Sequence, residues 1–393
     1  MENVYLKRAK ELTGELTDHR RTVHGYAETE FDLPKTLAFV EAELKSYGYE
    51  PVRMGRAGIA CTVGKPGKCI LLRADMDALP MAEETGYEFA ATNGNCHSCG
   101  HDCHVSMLLA AAKMLKEREA ELKGTVKFMF QPAEEKLAGA QDMIDAGILE
   151  NPKVDAAVGL HVAVGWDNSD LGRILYARGP AMYAANAIRI RVEGKSAHGS
   201  TPFAGVDAIT IAAHIVIALQ EILAREIPCT DHSIVTIGKI KGGDTENTIG
   251  GHAEMWGAIR TTSYENLNFL LKRVQEISAG VAETYRGKAV AEKVYGIGPL
   301  YNDPALSDQI GKYCREMMGE DKVDDIGTRF GTEDFAVIGE RIPAVMLNIG
   351  AGNIADGCDR TLHHAGMTLK EEVLPLGAAV YAYCAERYLS EAE

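Results

Sequence analysis

The segment 68–77 of the chain, K-C-I-L-L-R-A-D-M-D, is an apolar run that ends in two aspartates. Two further apolar runs have the same form: Thr125–Phe130 precedes a pair of glutamates, and Ala156–Leu160 precedes a histidine. Short apolar runs bounded by polar residues are typical of buried strands. Helical periodicity fills the intervals, most clearly in Val105–Arg118. This alternation predicts an α/β domain with a mostly parallel sheet.

Polar side chains follow each of these strands at the point where it ends. They are Asp75 and Asp77 after the first strand, Glu134 and Glu135 after the second, and His161 after the third. Open α/β sheets place ligands at the carboxyl ends of their strands. We therefore expect these groups to converge at one edge of the sheet.

A second unit begins near Met182. Its predicted elements are a strand at Ala187–Val192, a helix at Val206–Leu223, strands at Ser233–Ile240 and Ala253–Arg260, a helix at Tyr264–Thr284 and a strand at Ala289–Tyr295. The order βαββαβ is that of a ferredoxin-like layer. Because helix and strand alternation then resumes, we expect a discontinuous larger domain of residues 1–181 and 297–393. The inserted ferredoxin-like domain would comprise residues 182–296.

Composition excludes several functional classes. A chain of 393 residues, 46% of them hydrophobic, is large enough for two domains. Its formal charge of −15 disfavours nucleic acid and anionic membranes as partners. We expect neither a signal segment nor an apolar run of membrane-spanning length, which favours a cytoplasmic protein. The nine cysteines are odd in number and scattered, which indicates reduced thiols and a metal ligand rather than disulfides.

The densest group of metal-binding residue types is H-S-C-G-H-D-C-H, residues 97–104. Sulfur, imidazole and carboxylate donors side by side are typical of a transition-metal site. Cys99 and His101 are the favoured ligands. Cys96 and Cys103 are more simply explained as packed thiols. Other donors of the segment are expected to support the ligands from behind.

The adjacent Glu134 and Glu135 argue against a purely structural zinc site. A loop just past a strand end allows one carboxylate to bind the metal while the other lies beside the metal-bound water. This arrangement splits amides with activated water, so we predict a metallohydrolase. The rival from another class is a metal-binding or redox-sensing protein, to which a free carboxylate would bring nothing. From the residues alone, His198 in its Gly-rich loop is as consistent with a surface position as with a functional one.

Seven motifs occur together and in a fixed order. They are R-A-D-M-D-A-L-P (73–80), H-S-C-G-H-D-C-H (97–104), Q-P-A-E-E (131–135), G-L-H (159–161), G-K-S-A-H-G (194–199), F-G-T-E-D-F (330–335) and L-H-H (362–364). This ordered set resembles the aminoacylase/carboxypeptidase metallopeptidase family, in the branch of hippurate hydrolases, N-acyl-amino-acid amidohydrolases and auxin-conjugate hydrolases. The similarity runs from about Arg21 to the C-terminal helix.

The resemblance implies a site for two divalent metal ions, which could be zinc, manganese, cobalt or nickel. The implied metal ligands are Cys99, His101, Glu135, His161 and His363. Glu134 would be the general acid/base, and Asp75 would support the ligands. The small domain would be a dimerisation lid whose His198 reaches the neighbouring subunit's site and stabilises the oxyanion. Asn247 and Arg260 match positions that help to hold the substrate's carboxylate.

The expected reaction is metal-dependent hydrolysis of N-acyl amino acids by a homodimer or higher homo-oligomer. Enzymatic alternatives are a dipeptidase or carboxypeptidase, and a biosynthetic deacetylase of the N-acetyl-diaminopimelate type. Ser98, Cys103 and Phe203 depart from the residues usual in this branch. These positions border the expected substrate pocket, so the acyl group and the amino acid stay open.

Overall fold

The structure, a computed structural model, describes residues 3–391 of the chain. Its helices are α1 (Val4–Glu11), α2 (Thr13–Tyr26), α3 (Pro34–Ser46), α4 (His101–Glu117), α5 (Gly139–Asp145), α6 (Ala208–Ala218), α7 (Tyr264–Thr284), α8 (Pro304–Met318), α9 (Ala336–Gly339) and α10 (Val373–Ser390). Its strands are β1 (Val52–Met54), β2 (Gly58–Gly64), β3 (Cys69–Asp75), β4 (Thr125–Gln131), β5 (Ala156–Ala163), β6 (Ile174–Tyr176), β7 (Gly179–Met182), β8 (Ala185–Glu193), β9 (Ala197–His198), β10 (Ser233–Gly242), β11 (Thr248–Ile249), β12 (His252–Thr261), β13 (Lys288–Ile297), β14 (Leu300–Asn302), β15 (Val323–Asp325) and β16 (Ala344–Gly350).

These elements form two compact units. The second unit comprises Met182–Leu300 and the short segment Thr328–Thr332, and the first unit comprises the remainder. The second unit therefore extends four residues past the predicted end at 296, and it takes in a segment that the sequence placed in the larger domain. Backbone pairing explains the second difference, because the amide of Tyr183 donates to the carbonyl oxygen of Gly331 at 3.1 Å.

The first unit is built on an eight-stranded sheet in the order β1-β2-β4-β3-β5-β16-β6-β15. Its central strands β4, β3, β5 and β16 are parallel, and β1 and β2 extend one edge in antiparallel pairing. Every residue of β3 and β4 is buried, which explains why both read as continuous apolar runs. Helices α4 and α10 pack on each other and on β3. The predicted α/β class with a mostly parallel sheet is confirmed.

Strand register brings the polar strand ends to one edge. In the parallel β3–β4 pair Asp75 lies opposite Gln131, and in the β3–β5 pair Arg73 lies opposite Gly159. The residues that follow these positions therefore leave the sheet on the same side, as expected for an open parallel sheet.

Helix α4 begins at His101, four residues before the predicted start at Val105. Periodicity missed this first turn because its residues are buried all round, so no polar face marks it. The turn is preceded by Gly100, whose φ of +86° favours glycine. A Cβ at this position would lie 2.4 Å from Cγ2 of Val162. Local backbone geometry thus places His101 at a helix start.

The second unit contains a four-stranded antiparallel sheet in the order β10-β12-β8-β13. Helices α6 and α7 pack against it around the buried side chains of Ile190, Met255 and Leu270. The predicted ferredoxin-like βαββαβ order is confirmed. The short strands β9 and β11 pair with each other as a separate antiparallel ribbon.

One helical stretch of the second unit, Ala208–Glu226, is long and apolar enough to cross a membrane by length and composition, with a mean hydropathy of 1.5. The expectation that no apolar run approaches that length is therefore wrong on these two criteria. The apolar composition has a structural cause, because Ile211 and Ile215 are buried in the core of this unit. Ile217, in contrast, is exposed. Core helices pass the same criteria, so the stretch by itself assigns no membrane function.

We expect Gly100→Ala to destabilise the first unit, since an L-residue at this φ costs about 1–3 kcal/mol before the contact with Val162 is counted. Gly14→Ala is the matched control, because a Cβ at Gly14 in α2 meets no atom within 4 Å. Urea unfolding monitored by circular dichroism measures both free energies of unfolding. Equal stability of the two variants would contradict the proposed constraint.

Candidate metal centre

Five potential donors from separate elements meet at the carboxyl edge of the first unit's sheet. Cys99 precedes α4, His101 begins it, His161 lies in β5, and Glu135 and His363 lie in loops after β4 and before α10. The Sγ atom of Cys99 is 3.5 Å from Nε2 of His161 and 3.3 Å from Nε2 of His363. The same His363 nitrogen is 3.3 Å from a carboxylate oxygen of Glu135. The structure thus brings together all five residues that the resemblance implies as ligands.

One donor atom of this cluster, Nε2 of His101, is buried without a hydrogen-bond partner. Buried polar atoms are seldom left unpartnered, so this nitrogen needs an explanation. The other ring nitrogen of His101 lies 2.8 Å from the backbone oxygen of Asp77, which makes Nδ1 the donor and leaves the Nε2 lone pair free. Imidazole nitrogen, thiolate and carboxylate oxygen fit a divalent transition-metal ion.

The pKa values of Glu134 and Glu135 are shifted in opposite directions. Burial and the carboxylates of Glu333 and Asp334 raise the pKa of Glu134 well above its ordinary value. Although burial opposes it, hydrogen bonding to His363 lowers the pKa of Glu135. The Oε2 atom of Glu134 is 3.9 Å from Nε2 of His101. One carboxylate is therefore favoured as an anionic ligand, and its neighbour as a group that can hold a proton.

Asp75 lies behind the cluster. Its carboxylate is 2.5 Å from Nδ1 of His104, 2.6 Å from a guanidinium nitrogen of Arg73 and 3.6 Å from Nε2 of His101. Despite burial, Arg73 holds the pKa of Asp75 well below its ordinary value. The other nitrogen of His104 accepts the backbone N–H of Val162 at 2.9 Å. With both nitrogens engaged, His104 supports the site rather than binding metal.

Asp77, which the sequence places among the polar strand-end groups without a specific role, contacts the glutamate pair. Its two carboxylate oxygens accept the backbone N–H groups of Glu134 and Glu135 at 3.0 and 3.2 Å. The same residue's carbonyl oxygen orients His101. Asp77 therefore fixes the glutamate pair relative to a histidine donor. Its spacing two residues from Asp75, at the end of a buried strand, was the only sequence signal.

The backbone around the donors adopts uncommon conformations. Ala133 and Leu137, on either side of the glutamate pair, have φ values of +51° and +53°. His363 has a φ of +66° and its amide donates to the carbonyl oxygen of Ser98 at 2.8 Å. Positive φ at residues other than glycine is costly and clusters at functional sites. The surrounding contacts thus hold the loops, and the donors they carry, in backbone conformations that these residues would seldom adopt on their own.

The remaining cysteines of the cluster are buried away from these contacts. The Sγ atom of Cys96 faces the carbonyl oxygen of Ala365 at 3.8 Å. Burial raises the pKa of Cys103, which lies beside Asp102 and Arg20. These surroundings suit packed thiols rather than thiolates.

The second unit carries the other three predicted site residues. His198 is exposed on β9, and its Nδ1 accepts the backbone N–H of Ser200 at 3.1 Å. A neutral imidazole with Nδ1 as acceptor carries its proton on Nε2 and can donate from there. Gly199 donates its amide to the carbonyl oxygen of Asn247 at 2.8 Å, which brings His198 and Asn247 together. Arg260 lies on β12 of the four-stranded sheet.

Comparison with known proteins is consistent with this geometry. Residues 71–387 match the model of peptidase family M20/M25/M40. The chain belongs to this family. It is 34% identical to the IAA-amino acid hydrolase ILR1-like 4 of Arabidopsis thaliana over 95% of this chain and 85% of that protein. It is also 34% identical to the N-acetyl-L-cysteine deacetylase of Bacillus subtilis over 97% of this chain and 90% of that protein.

Among solved structures, the Bacillus subtilis YXEP protein, described as a dinuclear metal-binding peptidase from the M20 family, superposes with a TM-score of 0.82. The two sequences are 28% identical, and the match covers 97% of this chain and 99% of that one. Membership of the M20 family confirms the resemblance and the prediction of a metal-dependent amidohydrolase. It also rejects the alternative of a non-catalytic metal-binding or redox-sensing protein.

Cys99 is the cysteine on which we expect metal binding to depend. A Cys99→Ser variant should retain less metal, because a hydroxyl is a far poorer ligand than a thiolate. Cys103→Ser is the matched control and should keep the content of the unmodified protein. Mass spectrometry of metal per chain after dialysis measures both. Equal loss from Cys103→Ser would contradict the assignment.

Metal binding should release protons. Hydrogen bonds to Cys99 and Glu135 raise the pKa of His363 to about 10 in the metal-free protein, so its imidazole is charged at neutral pH. A metal ion requires the neutral imidazole, so apparent metal affinity should rise with pH up to about that value. Titration calorimetry in buffers of different ionisation enthalpy measures the released protons.

His364→Gln is the control for this experiment and should release as many protons as the unmodified protein, whereas His363→Gln should release fewer. Binding without proton release at neutral pH would contradict the involvement of His363.

Proposed function

We propose that this chain hydrolyses the amide bond of N-acyl amino acids and releases a carboxylic acid and a free amino acid. One observation carries the proposal: Glu134 is a buried carboxylate, 3.9 Å from His101, beside a cluster that already contains a better-placed carboxylate donor. An ion-storage site has no use for such a group, whereas amide hydrolysis needs one. Two relatives, named for hydrolysis of an amino acid conjugate and deacetylation of N-acetyl-L-cysteine, support this substrate class.

The proposed ligands are those implied by the sequence. They are Cys99, His101, Glu135, His161 and His363. Their number suits two divalent ions, of zinc, manganese, cobalt or nickel. When bound, such ions polarise the amide carbonyl and lower the pKa of water from its unperturbed value of ~15.7 towards neutrality.

Glu134 is proposed as the general acid/base. It accepts a proton from the attacking water and delivers it to the nitrogen of the leaving amine as the C–N bond breaks. A carboxylate of raised pKa suits this shuttle, because it holds the proton between the two transfers. Asp77 keeps the carboxylate in place through the backbone of the glutamate pair.

The second unit is proposed to bind the substrate and complete the site as a dimerisation lid. His198 would donate from Nε2 to the developing oxyanion. Asn247 and Arg260 would hold the carboxylate of the amino acid, for which a guanidinium offers paired hydrogen bonds. Among residues 3–391, strand β10 pairs on one side only, and it exposes Ile234 and Ile240. This edge is therefore suited to pairing across a two-fold axis.

We expect Glu134→Gln to lose turnover by roughly 10²–10⁴ while its metal content stays unchanged. Glu135→Gln should instead lose metal. Turnover is measured on N-acetyl, N-benzoyl and longer-chain N-acyl amino acids, with dipeptides assayed in parallel to test the peptidase alternatives. The roles are reversed if Glu134→Gln loses metal and Glu135→Gln retains it. Faster hydrolysis of dipeptides than of every N-acyl amino acid would reject the proposed substrate class.

A mixture of two variants of reduced activity tests the dimer. His198→Ala should lower kcat with metal content unchanged. Mixed dimers with Glu134→Gln would contain one site with both an intact base and an intact histidine, so activity should return. Subunit exchange is verified by tagging one variant. Mixed dimers without recovered activity would contradict action of His198 across subunits.

A further inference from the structure

The segment Thr328–Thr332 is anchored in the second unit. Strand pairing holds its backbone, since Gly331 accepts the amide of Tyr183 at 3.1 Å. The ring of Phe330 stacks on that of Tyr183 with centroids 5.6 Å apart and planes 12° apart. At the end of the segment, Oγ1 of Thr332 accepts a hydrogen bond from a guanidinium nitrogen of Arg260 at 3.2 Å. The proposed carboxylate-binding arginine therefore contacts the last residue of this segment.

The next residue belongs to the first unit. Glu333 is buried and accepts from Arg73 at 2.8 Å, and Asp334 accepts from the same guanidinium at 3.1 Å and from Gln131 at 2.8 Å. Arg73 also binds Asp75, which lies against the histidines of the metal centre. One end of the segment is thus fixed to Arg260, and the residues that follow are fixed to the charged cluster behind the metal centre.

A single peptide bond joins these two sets of contacts. Consecutive Cα atoms are about 3.8 Å apart, so a displacement of Thr332 beyond what rotation about φ and ψ can absorb also moves Glu333. Arg260 has five donors, of which a carboxylate would take two, so its bond to Thr332 can persist when substrate is bound. That bond also restricts an otherwise exposed and flexible side chain.

We propose that Thr332 is a positioning residue, which couples binding of the substrate's carboxylate at Arg260 to the Arg73 cluster behind the metal centre. This inference rests on the proposed function. It specifies the substrate class further, because the free carboxylate of an N-acyl amino acid contributes to turnover as well as to binding. Binding energy from a part of the substrate far from the reacting bond can raise kcat as well as lower KM.

The test compares an N-acyl amino acid with its neutral carboxamide, which has no charge for Arg260. Thr332→Val keeps the side-chain shape and removes the acceptor. We expect it to lower kcat for the acid roughly tenfold, the effect of losing a hydrogen bond to a charged group, and to leave kcat for the carboxamide unchanged. Thr332→Ser should restore kcat for the acid. Thr62→Val, at the exposed position of β2, is the matched control and should change neither value.

Arg260→Gln breaks the same contact from the other side and covers the case in which Thr332→Val does not fold. It should lower kcat for the acid, and adding Thr332→Val to a folded Arg260→Gln protein should lower it no further. If Thr332→Val folds, three results would overturn the proposal. They are an effect on KM alone, an equal loss of kcat for the acid and the carboxamide, and failure of Thr332→Ser to restore kcat for the acid. If it does not fold, an unchanged kcat in Arg260→Gln would overturn it. A metal-loaded unmodified protein that hydrolyses neither substrate would instead reject the proposed function.

Discussion

A single buried guanidinium, that of Arg73, organises the site. It is 2% exposed and forms ion pairs with Asp75, Glu333 and Asp334. Three carboxylates in a buried cluster would repel one another without it, and breaking a buried ion pair typically costs about 3–5 kcal/mol. Because these carboxylates come from β3 and from the loop before α9, their shared partner fixes both elements at the edge of the sheet where the metal donors lie. The metal centre therefore depends on a charge that does not itself touch metal.

The donors are held from behind in the same manner. Asp77 fixes the two glutamates through their backbone amides, and the carbonyl oxygens of Asp77 and Val162 orient His101 and His161. Each imidazole consequently presents Nε2 to the cluster. Such supporting bonds determine which atoms of a ligand face the metal, and they raise the basicity of the ligands. Geometry that suits catalysis is thus built into the fold before a metal ion binds.

Much of this could be predicted from the sequence, because burial leaves a pattern in residue type. The central strands β3, β4 and β5 and the four strands of the second unit's main sheet follow from apolar runs, and the five clustered donors follow from ordered motifs. The strands β1, β2, β6 and β15 of the large sheet were not predicted. Other features leave no such pattern. The first turn of α4 is buried all round, the pairing of segment 328–332 with the second unit depends on backbone hydrogen bonds, and the role of Asp77 depends on where two amides point. These are contacts between distant parts of the chain, which periodicity cannot reveal.

Anomalous diffraction from crystals grown with manganese or zinc tests the central claim most directly, since it locates each ion among its donors. We expect two peaks within one cluster of side chains. That cluster comprises Cys99, His101, Glu135, His161 and His363. Glu134 should lie beside the ions without binding either. Peaks that include Cys103, or ions bound only at the separate Glu15–His19–Glu43 group, would contradict that claim.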